Sequence, residues 1–372
     1  MRTTILGAAL VVVVVVGVVV PASAGATGVD AGLGASAADA GIGTEASQGT
    51  GCTYPLNATD ATGTEVTVGA EPGRIVTLAP SAAQTMWEFG AQEKVVGLTD
   101  NALYLERADE RTVVAEGFDY QVETIIGLEP DLVLAPNTTP EETVETLRTN
   151  GLTVYYFGQA GDFEDVYAKT ELIGRLAGEC ESAEATVTGM RRRVDAVRQA
   201  VSDEEHPGSM YVFFGFTAGD DTFIDAILET AGTTNVAAEV GITGYAEVND
   251  EVVANNSAEV EWLVLNSDES SHPGGGVYEE TTAMRDGQTV VLNKSYLNQP
   301  APRTVLALEN LTRAVHPEAY EEAQAILAST PAATGTDRST PTPADTVAGG
   351  PGFGPVAAVL ALLTVALLGW RR

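Results

Sequence analysis

The chain has 372 residues, of which 52 are Asp or Glu and 19 are Lys or Arg, so its formal net charge at pH 7 is −33. A surface this acidic repels the phosphates of nucleic acids and of anionic membranes, and it excludes a nucleic-acid partner. Self-repulsion weakens the compact state unless salt screens it, so the composition predicts a halophilic protein that works in molar salt. A disordered acidic chain is excluded as well, because 44% of the residues are hydrophobic and the acids are interspersed.

The N-terminus is typical of a secretory signal peptide. Arg2 precedes an apolar run at residues 5–20, and small residues suited to cleavage follow at 22–24. We therefore predict that residues 1–24 are a signal peptide and that the mature chain is exported. Residues 25–51 are mostly Gly, Ala, Ser and Thr, a composition that predicts a linker.

The C-terminus indicates a membrane tether. Residues 329–350 are rich in Thr, Pro, Ala and Gly and are predicted to be a stalk. Residues 351–372 begin with Pro-Gly-Phe, continue in an apolar run at 356–368 and end in Trp-Arg-Arg. The run is shorter than the roughly 20 residues that a spanning helix needs. The arrangement resembles the Pro-Gly-Phe C-terminal sorting signal of halophilic archaea, in which a membrane enzyme removes the tail and a lipid replaces it; a permanent single-helix anchor is the alternative. Either way, the C-terminus anchors the exported protein to the cell membrane.

The predicted N-terminal lobe, residues 52–180, alternates strand and helix signals. Short β-rich or apolar runs predict strands at 74–78, 95–98, 131–135 and 153–157. Helices are predicted between them, one at 122–128 and two that begin at capping boxes, formed by Ser81 with Gln84 and by Thr139 with Glu142. Strands separated by helices favour a parallel sheet that is covered on both faces.

A single long helix is predicted over residues 181–205, because residues 181–202 contain no Pro and only one Gly. Its arginine cluster, at 191–193 and 198, indicates a solvated, salt-bridged helix face rather than a nucleic-acid site. This helix joins the first lobe to the second.

The predicted C-terminal lobe, residues 206–328, repeats the pattern of the first lobe. Strands are predicted at 210–216, 262–265 and 289–292, and helices at 222–231, 250–254 and 303–315. The predicted fold class is therefore α/β, with two parallel-sheet lobes joined by one long helix. Since open α/β sheets bind ligands beyond the carboxyl ends of their strands, facing lobes predict one shared ligand cleft.

Cys52 and Cys180 are the two cysteines of the chain. In an exported protein an intramolecular disulfide is expected rather than two free thiols. Closing so long a loop contributes about 4 to 5 kcal/mol on the chain-entropy model.

Sequence signatures of catalysis are scarce. The three histidines, His206, His272 and His316, lack metal-ligand spacing, so no metal site is predicted. The sequence contains no Gly-x-Ser-x-Gly motif, no phosphate-cradling glycine loop and no Cys/His pair. Nothing in these observations calls for an enzyme or for a resident cofactor, and we expect neither.

Aromatic side chains in predicted loops and at predicted strand ends are candidates to line the cleft, where they would suit a large, flat, partly apolar ligand. The candidates are Phe118, Tyr120, Phe216, Tyr245 and Tyr296, with Phe214 beside Phe216 at the end of the predicted strand. A single aromatic residue is more often part of a core. The loop positions predicted for Tyr120, Tyr245 and Tyr296 favour ligand contact.

Several spaced motifs occur in one order along the chain. They are Arg-Ile-Val-Thr-Leu-Ala-Pro-Ser at 74–81, Val-Val-Gly-Leu at 95–98, Val-Glu-Thr-Ile-Ile-Gly-Leu-Glu-Pro-Asp-Leu-Val-Leu-Ala at 122–135 and Ala-Pro-Arg at 301–303. From about residue 74 to residue 316 the chain resembles the substrate-binding proteins of ABC importers for cobalamin, haem and ferric siderophores. The resemblance implies two lobes bridged by one long helix, a bulky metal chelate as ligand and an ABC permease as partner. We expect a monomer.

The resemblance also implies roles for four residues. Ser81 and Arg303 match segments that often border the cleft, although a helix cap and a surface charge are their alternative interpretations. Glu123 and Glu251 match the glutamates, one on each lobe, that dock onto permease arginines in the cobalamin binders of the family. The clustered histidines of zinc and manganese binders are missing from the sequence, so a bare transition metal is not expected. A hydrolase or lyase that reuses the fold, or a structural cell-surface protein, are the rival functions.

Overall fold

The computed structural model describes residues 52–267 and 276–329. The predicted signal peptide, linker and sorting segment lie outside the described residues, as do His272 and the predicted stalk beyond Ser329. Within the described ranges, the helices are too short or too polar to cross a membrane.

The N-terminal lobe begins with a two-stranded antiparallel ribbon and continues with a six-stranded sheet. The ribbon consists of β1 (Leu56–Thr59) and β2 (Glu65–Val68). The sheet contains β3 (Ile75–Thr77), β4 (Val95–Thr99), β5 (Thr112–Glu116), β6 (Asp119–Tyr120), β7 (Leu132–Ala135) and β8 (Val154–Tyr156). Its strand order is β6-β5-β4-β3-β7-β8, and every pairing is parallel except that of β5 with β6.

Helices cover both faces of this sheet. They are α1 (Pro80–Glu88), α2 (Val122–Gly127), α3 (Glu141–Thr149) and α4 (Phe163–Ala177). Successive residues of β3 point to opposite faces, so Ile75 packs in the core cluster of α1 and α4 and Val76 packs in that of α2 and α3. The parallel sheet with two covered faces is as predicted.

Both predicted capping boxes are wrong. Helix α1 begins at Pro80, whose ring presets φ for the first helical turn, so Ala79 is the N-cap and Ser81 lies inside the helix. The N-cap of α3 is Pro140. The Thr139 hydroxyl instead donates a hydrogen bond to the Tyr120 hydroxyl at 3.3 Å.

The long helix α5 (Cys180–Ala200) has 21 residues and connects the lobes, as predicted. Its Ala183 packs in the core of the N-terminal lobe, whereas Val187, Met190 and Val194 pack in the core of the C-terminal lobe. Helix α5 is thus a structural part of both lobes.

Two further predictions about α5 are confirmed. Its arginines form ion pairs: Arg191 binds Glu164 at 2.7 Å and Arg193 binds Glu309 at 2.5 Å. At its first residue, Cys180 forms a disulfide with Cys52 across 128 residues of chain. The bond fixes the start of the N-terminal ribbon to the start of α5.

The C-terminal lobe contains a second parallel sheet and a second ribbon. Its strands are β9 (Gly208–Val212), β10 (Phe216–Ala218), β11 (Thr234–Asn235), β12 (Tyr245–Glu247), β13 (Trp262–Asn266) and β14 (Thr289–Leu292). The parallel sheet has the order β11-β9-β13-β14, and β10 pairs antiparallel with β12. The helices are α6 (Phe223–Thr230), α7 (Val236–Glu239), α8 (Asp250–Asn255), α9 (Thr282–Asp286), α10 (Lys294–Leu297), α11 (Thr304–Val315) and α12 (Pro317–Ser329).

The strand predicted at 210–216 is wrong, because a tight turn divides it. Phe213 and Phe216 exchange both backbone hydrogen bonds, at 2.9 and 2.7 Å. Between them Phe214 has φ 45° and Gly215 has φ 79°. Positive φ at both central residues is the geometry of a type I′ hairpin turn, so the chain reverses here instead of continuing.

The two sheets repeat one topology. In the first, β3 lies between β4 and β7; in the second, β9 lies between β11 and β13. Helix α2 precedes β7 and α8 precedes β13, so these two short helices occupy equivalent places. The predicted fold of two α/β lobes joined by one long helix is confirmed.

Candidate functional site

Residues that follow the carboxyl ends of both sheets are in contact at the junction of the lobes. Helix α1 starts just beyond the carboxyl end of β3, and α10 starts just beyond that of β14. The Gln84 side chain of α1 donates a hydrogen bond to the Ser295 carbonyl of α10. Because this contact joins the two edges, the loops that follow the strands of both sheets border one cleft.

Gln84 is the central residue of the junction. It is fully buried, and its side-chain amide donates to the Ser295 carbonyl at 2.9 Å and to the Tyr104 hydroxyl at 2.7 Å. Its amide oxygen accepts a hydrogen bond from the Arg303 N–H at 2.9 Å. We call this set the Gln84 clamp; it includes Gln84, Tyr104, Ser295 and Arg303.

Arg303 and Glu88 extend the clamp by one helical turn. The Arg303 Nε lies 2.7 Å from the Glu88 Oε1, and both side chains are partly exposed. Arg303 was predicted to border the cleft, with a surface charge as the alternative. The structure places it between the lobes, with its backbone and its guanidinium both bonded to α1.

Ser81 lies one turn before Gln84 on the same face of α1. It is buried, and its hydroxyl accepts a hydrogen bond from the Lys169 ammonium of α4 at 3.1 Å. The same ammonium lies 5.8 Å from the centre of the Phe157 ring, which directly follows β8. Burial lowers the pKa of Lys169 to about 8.

The ribbon of β10 and β12 carries exposed aromatic side chains. Phe216 lies opposite Glu247 and Tyr245 lies opposite Ala218, so Phe216 and Tyr245 are diagonal neighbours on one face of the ribbon. Their exposed fractions are 41% and 56%. Phe214, at the tip of the preceding turn beyond the carboxyl end of β9, is also exposed. The structure therefore brings two of the predicted cleft aromatics together.

The two aromatic candidates of the N-terminal lobe, Phe118 and Tyr120, differ in how far their side chains are exposed. Phe118 is 75% exposed in the turn that follows the carboxyl end of β5. Tyr120 is half-buried against the lobe core, and its hydroxyl accepts from Thr139.

Three tyrosines were predicted in loops, and the structure places each in a regular element. Tyr120 lies in β6, Tyr245 in β12 and Tyr296 in α10, where it packs against the core of the C-terminal lobe. These elements have two to four residues, too few for a periodic pattern to be visible in the sequence.

Glu123 and Glu251 occupy matching positions. Each is the second residue of its helix, Glu123 in α2 and Glu251 in α8, and each is exposed. In the described chain neither carboxylate lies within ion-pair distance of a cationic side chain. Both are therefore accessible to a partner.

The two described histidines lie away from the cleft. His206 precedes β9, at the amino edge of its sheet, and the His316 Nε2 lies 2.8 Å from the Gly232 carbonyl, which precedes β11. Among residues 52–267 and 276–329, no group of three or more His, Cys, Asp or Glu side chains is arranged to hold a metal ion.

Sequence comparison places the chain in a family. The model of that family, described as periplasmic binding protein, matches residues 75–293, which is more than half of the chain. This chain belongs to the periplasmic binding protein family. It is 41% identical over 277 residues to a cobalamin-binding protein of Halobacterium salinarum, covering 71% of this chain and 75% of that protein. The family is one of ABC-transporter receptors rather than enzymes, as predicted.

A second match concerns the C-terminus of this periplasmic binding protein. Residues 350–372 match the PGF-CTERM motif, which confirms the sorting signal predicted at 351–372. The protein is exported and anchored at the cell surface through its C-terminus.

Solved structures of periplasmic binding proteins share the fold. The periplasmic vitamin B12-binding protein of Vibrio cholerae is 22% identical, with a TM-score of 0.58 over 68% of this chain and 98% of that one. A periplasmic haem-binding protein of a Roseiflexus species is 24% identical, with a TM-score of 0.61 over 69% of this chain and 100% of that one. At these identities the similarity establishes the two-lobed fold alone.

Proposed function

We propose that this periplasmic binding protein captures cobalamin in its interlobe cleft and delivers it to an ABC permease. The observation that carries the proposal is the 41% identity to a cobalamin-binding protein of Halobacterium salinarum. We further propose that the protein acts as a monomer without a resident cofactor, since residues of one chain form both sides of the cleft.

The exposed aromatic side chains support a large, flat ligand. Phe216 and Tyr245 share one face of the C-terminal ribbon, and Phe118 projects from the turn at the carboxyl edge of the other sheet. Aromatic faces stack favourably on planar groups, and a corrin ring offers an extended planar face with apolar methyl groups at its edge. Exposed rings at such a cleft contribute more to binding than to the stability of the fold.

Neither of the two histidines in the described part of the chain is placed to ligate a haem iron in the cleft. His206 and His316 both lie at the amino edge of the C-terminal sheet, on the side opposite the cleft. Cobalamin carries its own cobalt ligands, so its capture needs contacts with the corrin and its side chains rather than a protein ligand to the metal.

We also propose that Glu123 and Glu251 dock onto arginines of the permease. The two carboxylates are exposed at equivalent places on the two lobes, and they have no ion-pair partner among the described residues. Complementary charges at such a rim guide encounter and fix orientation.

Titration of the mature protein in molar salt tests the ligand. Cyanocobalamin, haemin and the ferric hydroxamate ferrichrome are titrated in parallel by isothermal calorimetry. Saturable one-to-one binding of cyanocobalamin, with much weaker binding of the other two, is the expected result. Binding of haemin or ferrichrome without binding of cyanocobalamin refutes the proposed ligand.

Substitution of the two neighbouring aromatics tests the cleft. Stacked rings contribute on the order of 0.5 to 1.5 kcal/mol each beyond burial, so Phe216→Ser combined with Tyr245→Ser should weaken cyanocobalamin binding roughly 5- to 150-fold. Val291→Ser removes an equally exposed apolar side chain from β14 and serves as the control. Unchanged affinity in the double variant removes these rings from the site.

A further inference from the structure

The lysines of this acidic protein differ in whether a carboxylate lies beside the ammonium. The chain has three lysines, Lys94, Lys169 and Lys294. The Lys94 ammonium binds Glu71 at 2.7 Å and Glu179 at 2.8 Å. In the described part of the chain, Lys169 has no carboxylate within ion-pair distance; its ammonium donates to the Ser81 hydroxyl.

Lys169 lies at the carboxyl edge of the first sheet, beside the junction of the lobes. Its partner Ser81 is on the face of α1 that carries Gln84 and Glu88, and these two residues bind the opposite lobe. Ser81 lies one turn closer than Gln84 to the carboxyl end of β3. The ring beneath the ammonium, Phe157, directly follows β8, at the same edge of the sheet.

Among the described residues, Ser81 is the hydrogen-bond partner of the Lys169 ammonium. An ammonium has three donors, and the Ser81 hydroxyl takes one of them. The side chain is half-buried, so part of its hydration is lost, and burial alone lowers its pKa to about 8.

Helices α4 and α1 carry four carboxylates; Glu171 is exposed and not within ion-pair distance of Lys169, and the other three are engaged elsewhere. These three are Glu164, bonded to Arg191, Asp165, bonded to the Gly161 N–H, and Glu88, bonded to Arg303. A cation that the protein partly dehydrates and leaves without a counter-charge is a favourable place for an anion from outside.

We propose that Lys169 binds an anionic oxygen of the transported ligand, a phosphodiester or a carboxylate, beside the junction of the lobes. If the ligand is cobalamin, this oxygen belongs to the phosphodiester of its nucleotide loop, and this step rests on the proposed function. The ammonium then donates to the anion while Ser81 holds it in place. Lys169 also supplies positive charge where a net charge of −33 otherwise repels an anion.

Two probes that differ in the phosphodiester test the site. Cyanocobalamin carries the nucleotide loop, and dicyanocobinamide lacks its phosphate, ribose and base. Hydrogen bonds to charged groups are strong, so Lys169→Met should weaken cyanocobalamin binding about 10- to 100-fold. Dicyanocobinamide binding should change less than about threefold, and Lys169→Arg should retain most of the affinity for cyanocobalamin.

Specific results overturn the assignment. Equal losses for both probes in Lys169→Met would mean that Lys169 supports the shape of the cleft and does not bind the phosphodiester. Unchanged affinity for cyanocobalamin would remove Lys169 from the site. If the wild-type protein binds haemin and not cyanocobalamin, the proposed ligand fails independently. Haemin and its dimethyl ester, which lacks the carboxylates, then test Lys169 in the same way.

Proton uptake provides a second readout that a purely structural role would not change. An anion beside the ammonium raises the pKa of Lys169 above about 8, so the wild-type protein should take up a fraction of a proton when cyanocobalamin binds at a pH near or above that value. Calorimetry in buffers of different ionisation enthalpy measures this uptake. It should vanish in Lys169→Met, and identical uptake in the two proteins contradicts the proposal.

Discussion

The Gln84 clamp allows a sharp test of how the lobes are held together. Replacing Gln84 by Leu retains a similar side-chain volume but removes three hydrogen bonds, to Tyr104, Ser295 and Arg303. Two of the abandoned groups, the Ser295 carbonyl and the Arg303 N–H, lie at the junction between the lobes. Tyr104 is 38% exposed, so its hydroxyl can turn to water.

The expected loss of stability follows from those two groups. A buried polar group left without a partner costs about 1 to 3 kcal/mol, and two such groups cost about 2 to 5 kcal/mol after partial access to water is allowed for. For a body of this size, a loss of that order lowers the melting temperature by about 4 to 15 °C.

Differential scanning calorimetry in molar salt measures this change. Gln199→Leu is the matched control, because Gln199 is exposed on α5 and its replacement should shift the melting temperature by no more than about 2 °C. The reasoning is refuted if Gln84→Leu melts within that same small range, since the clamp would then add nothing to the fold.

Two further predictions concern docking and salt. Replacing Glu123 and Glu251 together by Lys should leave cyanocobalamin affinity unchanged and abolish uptake by cells, because like charges at the permease cost several kcal/mol; Glu321 and Glu322, exposed on α12, give the control pair. Normal cyanocobalamin uptake by cells that carry the Glu123 and Glu251 double variant would end the docking proposal. Loss of cyanocobalamin binding by the purified variant would instead assign these two acids to the fold or the cleft. The melting temperature should fall steeply as salt is diluted below molar concentration, since a net charge of −33 repels itself when unscreened. A flat or rising melting temperature on dilution contradicts the halophilic interpretation.

The parallel strands could be predicted because burial on both faces leaves apolar runs in the sequence. All four residues of β7 are buried, and the sequence Leu-Val-Leu-Ala has no polar side chain. The disulfide was predictable for a different reason, since an exported chain with two cysteines has one possible intramolecular pairing.

The Gln84 clamp was not predictable in this way. Ser81 and Gln84 have the spacing of a capping box, and that local pattern hid the contact with Ser295, which is 211 residues away. The turn at Phe214 was missed because a phenylalanine gives no signal for positive φ; Gly215 was the one hint. The ligand roles predicted for Ser81, Arg303, Phe118, Phe216 and the three tyrosines stay predictions.

Buried contacts hold the two lobes in one arrangement. Helix α4 inserts Phe163 into the core of the C-terminal lobe, where its ring lies 5.7 Å from that of Phe223, and α5 packs in both cores. Gln84 adds polar contacts beside the cleft. Opening the cleft widely would expose apolar surface and leave these polar groups unpaired, so we expect the ligand to enter a largely preformed site.

A preformed site spends little binding free energy on domain closure. For the same reason, the bound ligand dissociates slowly. Release then requires an external partner that strains the junction between the lobes. If Glu123 and Glu251 dock as proposed, the permease contacts each lobe separately and can move one against the other. We therefore expect Gln84→Leu, which weakens the junction, to accelerate dissociation of cyanocobalamin in the absence of the permease. Stopped-flow displacement measures that rate, and an unchanged rate would mean that the clamp does not control release.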